Sequence, residues 1–311
     1  MSKTLTIEVL DARGNKIYES NKVSESQTVL QLKQELVKSC EKIRKKGHGV
    51  ERVALKMNDP KTGKYMSDKT KKINEHADLD LNKKITLYYK DLGLQVSWTT
   101  VFLVEYAGPL FITLALVFLQ KLIYGQTFEL SYQQKLGAAL VVFHYAKREV
   151  ETIFVHRFSN DTMPAFNIIK NSTHYWILCG FCNMYFFLHP QYTAPAWLSE
   201  SLLHLIAALF VVFEFLNLMC HITLRNLRKP GSTERGIPRG WGFGLVACAN
   251  YFYESMAWLS FAIQAQSVGA YLFWLVSTLQ MLQWALKKKS INRKQFGDKY
   301  KVRKAMFPFL I

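Results

Sequence analysis

Glu214, Asn217, His221 and Arg225, then Asn250, Tyr251, Tyr253 and Glu254, stand inside two long apolar runs within residues 202–254. Ionisable groups in apolar surroundings cost several kcal/mol unless they are paired or reach water, so such residues are functional candidates. The two runs share a cationic, Pro/Gly-rich connection at 225–239, which carries Arg228 and Lys229-Pro230-Gly231. Arg can grip a phosphate with two parallel hydrogen bonds, and Asn offers a donor and an acceptor together, as an amide ligand needs. A tyrosine such as Tyr251, in a dry site, can donate a proton to a developing oxyanion. The chemistry implied is recognition of a phosphorylated ligand in a polar pocket, with acid catalysis beside it.

A second polar block lies upstream. His144, Lys147, Arg148, Glu149, Glu151 and His156 fall within thirteen residues. On a helix, Tyr145, Glu149, Thr152 and His156 share one face, with His144, Arg148 and Glu151 on an adjacent one. So many titratable groups cannot face lipid; they either pair locally at the membrane interface or wall an anionic-ligand cavity. Glu105 precedes Tyr106-Ala107-Gly108-Pro109, and a carboxylate beside a helix kink requires a partner within the bundle.

Other motifs are weaker. Cys179 and Cys182 form a C-x-x-C with no second ligand pair at metal spacing, and Cys40, Cys220 and Cys248 complete the cysteines; all five read as small packing residues and no metal is implied. Gly240-Trp241-Gly242-Phe243-Gly244 lacks the strand and βαβ context of a dinucleotide loop.

Elements must position these groups. Residues 1–90 read as a soluble domain. Leu5, Ile7 and Val9 alternate with polar residues, Asp11 to Asn15 supply a hairpin turn, and a second strand follows at 16–20. Thr28 is an N-cap for a helix Val29–Ser39, and later strands are expected at Val53–Met57 and 85–89. From residue 91 the pattern changes to long apolar stretches, near 98–119, 136–154, 175–188, 202–223, 243–264 and 267–286. The fold expected is α+β: a small ubiquitin-like β-grasp domain followed by an all-α, multi-pass membrane domain, 91–311, of six or seven helices.

The formal charge is +17, concentrated at both ends: 20 Lys/Arg against 12 Asp/Glu in residues 1–90, and nine against one in 287–311. By the positive-inside tendency both termini are cytosolic, which requires an even number of crossings. Nucleic-acid binding is excluded by the membrane-like core and the lack of a basic–aromatic reader motif. Residues 1–10 alternate like a strand and contain no signal peptide.

Together these blocks resemble the steroid 5α-reductase superfamily, and within it the very-long-chain trans-2-enoyl-CoA reductase branch, which carries a ubiquitin-like N-terminus. The resemblance rests on Asp91-Leu92-Gly93 with Ser97-Trp98, on Glu105 to Phe111, and on Phe143 to Pro164 with Lys147-Arg148 and His156-Arg157-Phe158. It continues through Ile237-Pro238, Ala249-Asn250-Tyr251 and Glu254 to Phe296-Gly297-Asp298, Arg303-Lys304 and Pro308-Phe309. It implies NADPH-dependent reduction of trans-2-enoyl-CoA to saturated acyl-CoA, the last step of very-long-chain fatty acid elongation, which also serves sphingolipid metabolism. It further implies an endoplasmic reticulum membrane and contact with other elongation enzymes. By the same resemblance Tyr251 is the leading acid or oxyanion partner, Glu105 a second essential group, and Tyr145 a candidate at the substrate carbonyl. Asn217, Arg228, Asn250 and Glu254 match cofactor-pocket positions, with Arg148 and Arg303 as further members. Asn292 stands where the superfamily has a tyrosine, His221 where steroid reductases are acidic, and Ala249 where the branch often has proline. Two alternatives stay open: a steroid or polyprenol reductase of the same superfamily, and a non-catalytic membrane adaptor displaying the β-grasp domain.

Overall fold

In a computed structural model the chain is described at residues 3–47, 49–158, 161–227, 236–301 and 303–310. These residues form two compact units. The first contains strands β1 (Thr4–Leu10), β2 (Lys16–Ser24), β3 (Val53–Met57) and β4 (Ile85–Asp91), with helix α1 (Val29–Ser39) and the short α2 (Glu41–Arg44). The sheet order is β2-β1-β4-β3; β1 pairs antiparallel with β2 and parallel with β4. Alternation sets the inner face: Leu5, Ile7 and Val9 of β1, and Ile85 and Leu87 of β4, are buried against Leu32 and Leu36 of α1. Thr28 caps α1 through a reciprocal box with Gln31. The second strand extends four residues past the expected 16–20, to Ser24, because Val23 is drawn into the core opposite Leu5. A two-stranded ribbon, β5 (Gln95–Ser97) with β6 (Thr162–Pro164), also belongs to this unit, clamped by a hydrogen bond from the Trp98 indole to the Thr162 carbonyl.

The second unit is helical. In order come α3 (Trp98–Phe118), α4 (Gln120–Tyr124), α5 (Tyr132–Phe154), α6 (Phe166–Ser172), a π-helix (Thr173–Asn183), α7 (Met184–Phe187), α8 (Glu200–Asn226), α9 (Ala249–Ala265) and α10 (Val268–Phe296). Among the described residues, α3 and α8 are long and apolar enough to cross a membrane. Three of the other four expected stretches depart from a long apolar span for identifiable reasons. Helix α5 carries the polar block, α9 has only 17 residues, and the stretch around 175–188 is broken into α, π and α turns.

Helix α9 begins six residues later than the apolar pattern suggests. Gly240, Trp241 and Gly242 all adopt positive φ (75°, 45° and 85°), a turn that a helix cannot contain. The Ala247 and Cys248 amides then bond the Lys304 and Ala305 carbonyls, so the C-terminal tail holds this segment. Inside α3, Pro109 removes a helical donor, and the Trp176 indole of the π-helix donates to the Val104 carbonyl across Gly108, where a Cβ would collide with the ring. The core of the unit is aromatic: Tyr106, Tyr145, Phe187, Phe210, Trp258, Phe261 and Phe273 are all buried together.

Candidate active site

The polar residues of α5 turn inward. Ser131 caps this helix in a box with Gln134, and its register places His144, Tyr145, Arg148 and Glu151 in the interior, each 7% exposed or less. Buried charge must be matched, and it is. Glu214 of α8 takes His144 Nδ1 at 2.8 Å and Lys147 Nζ at 3.0 Å. Lys147 also donates to Asn217 Oδ1 at 2.7 Å and lies 3.3 Å from Glu151. Arg148 forks, with one nitrogen on Glu151 at 2.8 Å and the other on the Tyr106 hydroxyl at 2.8 Å, and its guanidinium centre sits 4.9 Å from that ring's centroid. His221 of α8 closes the group, 3.1 Å from Glu151.

From this network the contacts run on to α9. The Asn217 amide donates to the Asn250 carbonyl at 2.9 Å and lies 3.4 Å from Glu254. The three residues expected to share a cofactor pocket therefore face one another. Glu105 of α3 is 2% exposed, accepts a 2.8 Å hydrogen bond from Asn171 of α6, and lies within electrostatic reach of Arg148 and Glu254. Tyr145 is fully buried between Tyr106, Tyr175 and Trp258, with ring centroids 5.8–6.3 Å away, and with the Cys179 thiol nearby. Its hydroxyl faces the Cys179 thiol and has no stronger partner among the described residues. A thiol is a weak acceptor, so this hydroxyl keeps capacity for a ligand oxygen.

The structure thus brings together Glu105, Tyr145, Arg148, Asn217, Asn250 and Glu254, from four helices. Two other expected residues lie apart from them. Tyr251 is one step round α9 from Asn250, half-buried; its ring packs on Trp284 of α10 at 6.2 Å and lies under Lys288 Nζ at 5.5 Å. Arg303 stacks on Tyr300 at 5.2 Å and donates to the Pro238 carbonyl. Arg228 lies outside the described residues, as does Lys229-Pro230-Gly231. Sequence reasoning did not single out Asn171, Tyr175 or the aromatic role of Tyr106. Only Tyr106 carried a signal, its place beside Glu105.

Glu151, His156 and His221 place three donor atoms within 4.8 Å of one another. Glu151 is already neutralised by Lys147 and Arg148, and those cations would oppose a metal ion, so the triad reads as part of the ion-pair network.

The donor set suits a nicotinamide dinucleotide. Arg148 supplies a fixed cation, Asn217 and Asn250 carry amides, and Glu105 and Glu254 carry carboxylates.

Comparison with known proteins agrees. A family model described as 3-oxo-5-alpha-steroid 4-dehydrogenase matches residues 161–311. Over 98% of its length the chain is 41% identical to a Dictyostelium discoideum protein named very-long-chain enoyl-CoA reductase, covering 99% of that protein. The chain belongs to the very-long-chain enoyl-CoA reductase family. A second member of this reductase family, a probable very-long-chain enoyl-CoA reductase of Caenorhabditis elegans, is 39% identical over 98% of the chain and 99% of its own length. A trans-2,3-enoyl-CoA reductase-like protein of Mus musculus is 32% identical over 98% of the chain and 84% of its own length. The alignments with these reductases span the polar blocks of α5, α8 and α9 as well as the N-terminal sheet.

Proposed function

We propose that this protein reduces trans-2-enoyl-CoA to saturated acyl-CoA with NADPH, in the last step of very-long-chain fatty acid elongation, and so also supplies sphingolipid synthesis. The observation that carries the reading is the buried set Glu105, Tyr145 and Arg148, joined to Asn217, Asn250 and Glu254 in a chain whose relatives are named for this reaction.

NADPH, when bound, supplies the hydride that adds to the β-carbon of the conjugated thioester. The protein's task is to stabilise the charge that gathers on the thioester oxygen and to see a proton reach the α-carbon. Burial of Tyr145 supports the first role: its hydroxyl, with only the Cys179 thiol beside it, lies in dry aromatic surroundings where one donor is worth far more than in water. Arg148 cannot drift, since Glu151 and Tyr106 hold both ends of its fork. Glu105, fixed by Asn171, is the acceptor of the site, and Asn217, Asn250, Glu254 and Arg148 are the residues that would hold the cofactor. Tyr251 belongs, on this reading, to the rim rather than the reacting centre, as does Arg303.

The sheet order β2-β1-β4-β3 with α1 across one face supports the reading of residues 1–90 as a ubiquitin-like β-grasp domain. Residues 91–311 are then the membrane reductase domain, of six crossings, in the endoplasmic reticulum with both termini cytosolic and with other elongation enzymes as neighbours. The test is turnover of enoyl-CoA in microsomes. Glu105→Ala and Tyr145→Phe should abolish NADPH-dependent reduction while the protein accumulates normally, and full activity in both would overturn the site. Feeding a steroid enone or a polyprenal to the purified protein separates this from the rest of the superfamily.

A further inference from the structure

The C-terminal segment holds more positive charge than a membrane helix needs. Helix α10 ends in Lys287, Lys288, Lys289, Arg293 and Lys294, and nine Lys/Arg stand against one acid over residues 287–311. Lys287, Lys289, Arg293 and Lys294 make no ion pair among the described residues, and Lys287, Arg293 and Lys294 are exposed. Lys287, Lys289, Arg293 and Lys294 thus lack a counter-charge among the described residues and can take one from a ligand.

Its position says where. Lys288 lies over the Tyr251 ring, the residue next to Asn250, whose carbonyl receives the Asn217 amide. The C-terminal tail runs back beside the start of α9, with the Ala247 and Cys248 amides on the Lys304 and Ala305 carbonyls at 2.8 and 3.1 Å. The basic end of α10 and the tail therefore flank the same end of α9 that carries Asn250 into the site.

We propose that Lys287, Lys289 and Arg293 bind the phosphates of the substrate's coenzyme A, its diphosphate and ribose phosphate, and so anchor the thioester for Tyr145. This rests on the enoyl-CoA reading above. The shared chemistry, a phosphate-rich anion, is also that of an acidic lipid headgroup or of NADPH, and the experiment separates them. Charge-assisted contacts to phosphate are strong where several converge and are screened by salt where exposed.

The purified full-length protein in neutral detergent and its Lys287→Gln/Lys289→Gln/Arg293→Gln variant are assayed with trans-2-enoyl-CoA and with the matching N-acetylcysteamine thioester, which lacks phosphates. Binding of free coenzyme A is measured by calorimetry. The expected result is a ~20-fold loss in kcat/KM for the CoA ester, carried by KM, with the truncated thioester and the KM for NADPH unmoved. Free coenzyme A should bind the wild type and bind the variant at least tenfold more weakly. Equal loss with both thioesters, a rise confined to the NADPH KM, or a defect that emerges only with phosphatidylserine vesicles would each overturn the assignment. Because coenzyme A binding is read without turnover, an inactive wild type that still binds it through these residues would count against the reaction and not against the anion site.

Discussion

Asn217 is the residue through which α5, α8 and α9 are tied, and Asn217→Ala reports on the whole arrangement. The side chain accepts from Lys147 at 2.7 Å and donates to the Asn250 carbonyl at 2.9 Å. The charge-assisted bond is worth about 1.5–3 kcal/mol and the neutral one about 0.5–1.5 kcal/mol. The 3.4 Å contact with Glu254 is long and adds little. Because Asn217 is 1% exposed, water does not readily replace these bonds, and the variant should lose about 2–4 kcal/mol. Asn217→Asp separates the two halves: it keeps a partner for Lys147 but cannot donate to Asn250 and sets a second carboxylate beside Glu254. Thermal unfolding in detergent, with and without NADPH, is the assay. Both variants should melt earlier and gain less from NADPH than the wild type, with Asn217→Asp closer to the wild type in melting but no better in cofactor response. Unchanged melting and an unchanged NADPH response in Asn217→Ala would refute the view that this amide joins the helices around a cofactor.

Further outcomes follow from single contacts. Gly108→Val should destabilise the helical unit by about 1–3 kcal/mol, since its side chain would enter the Trp176 ring that caps the Val104 carbonyl; Trp176→Ala should relieve the penalty in the double variant, which melting will show. Lys33 of α1 is 7% exposed, and burial pushes its ammonium down to about 8 from 10.5. The folded chain thus loses this proton before the unfolded chain does, and stability should climb from pH 8 towards 10.5, with a constant penalty of about 3 kcal/mol at most below pH 8. Lys33→Met should raise stability at pH 7 and flatten that rise, read by denaturant unfolding across pH. Arg148→Lys keeps the charge but loses the fork between Glu151 and Tyr106, so it should fold and turn over at least tenfold more slowly.

Much of this was legible in the residues. Thr28 announced the start of α1, the alternation of Leu5, Ile7 and Val9 gave the inner face of the sheet, and the polar block of α5 could not face lipid; Glu214 and Asn217 are the partners it finds. What escaped was set by tertiary contact. The π-turns at Thr173–Asn183 leave no local signal and arise where the helix packs on α3 through Trp176 and Gly180. The late start of α9 depends on positive φ at Trp241, a residue that does not advertise it, and on a tail sixty residues away. Tyr251 carried the strongest expectation by resemblance, yet one helical step, about 100°, separates it from Asn250 and turns it to α10. Tyr145 was a candidate at the substrate carbonyl by resemblance alone, and its burial among Tyr106, Tyr175 and Trp258 depends on three helices that no local pattern brings together.

Tyr145 gives the most direct test. A buried hydroxyl with only a thiol beside it adds little to the fold, so Tyr145→Phe should melt at or near the wild-type temperature and bind NADPH normally, while kcat for enoyl-CoA falls by about 100-fold or more. Tyr251→Phe, measured alongside, should retain most of its turnover. Normal turnover in Tyr145→Phe, with Tyr251→Phe inactive, would contradict the placement of the reacting thioester beside Tyr145, among α3, α5, α8 and α9.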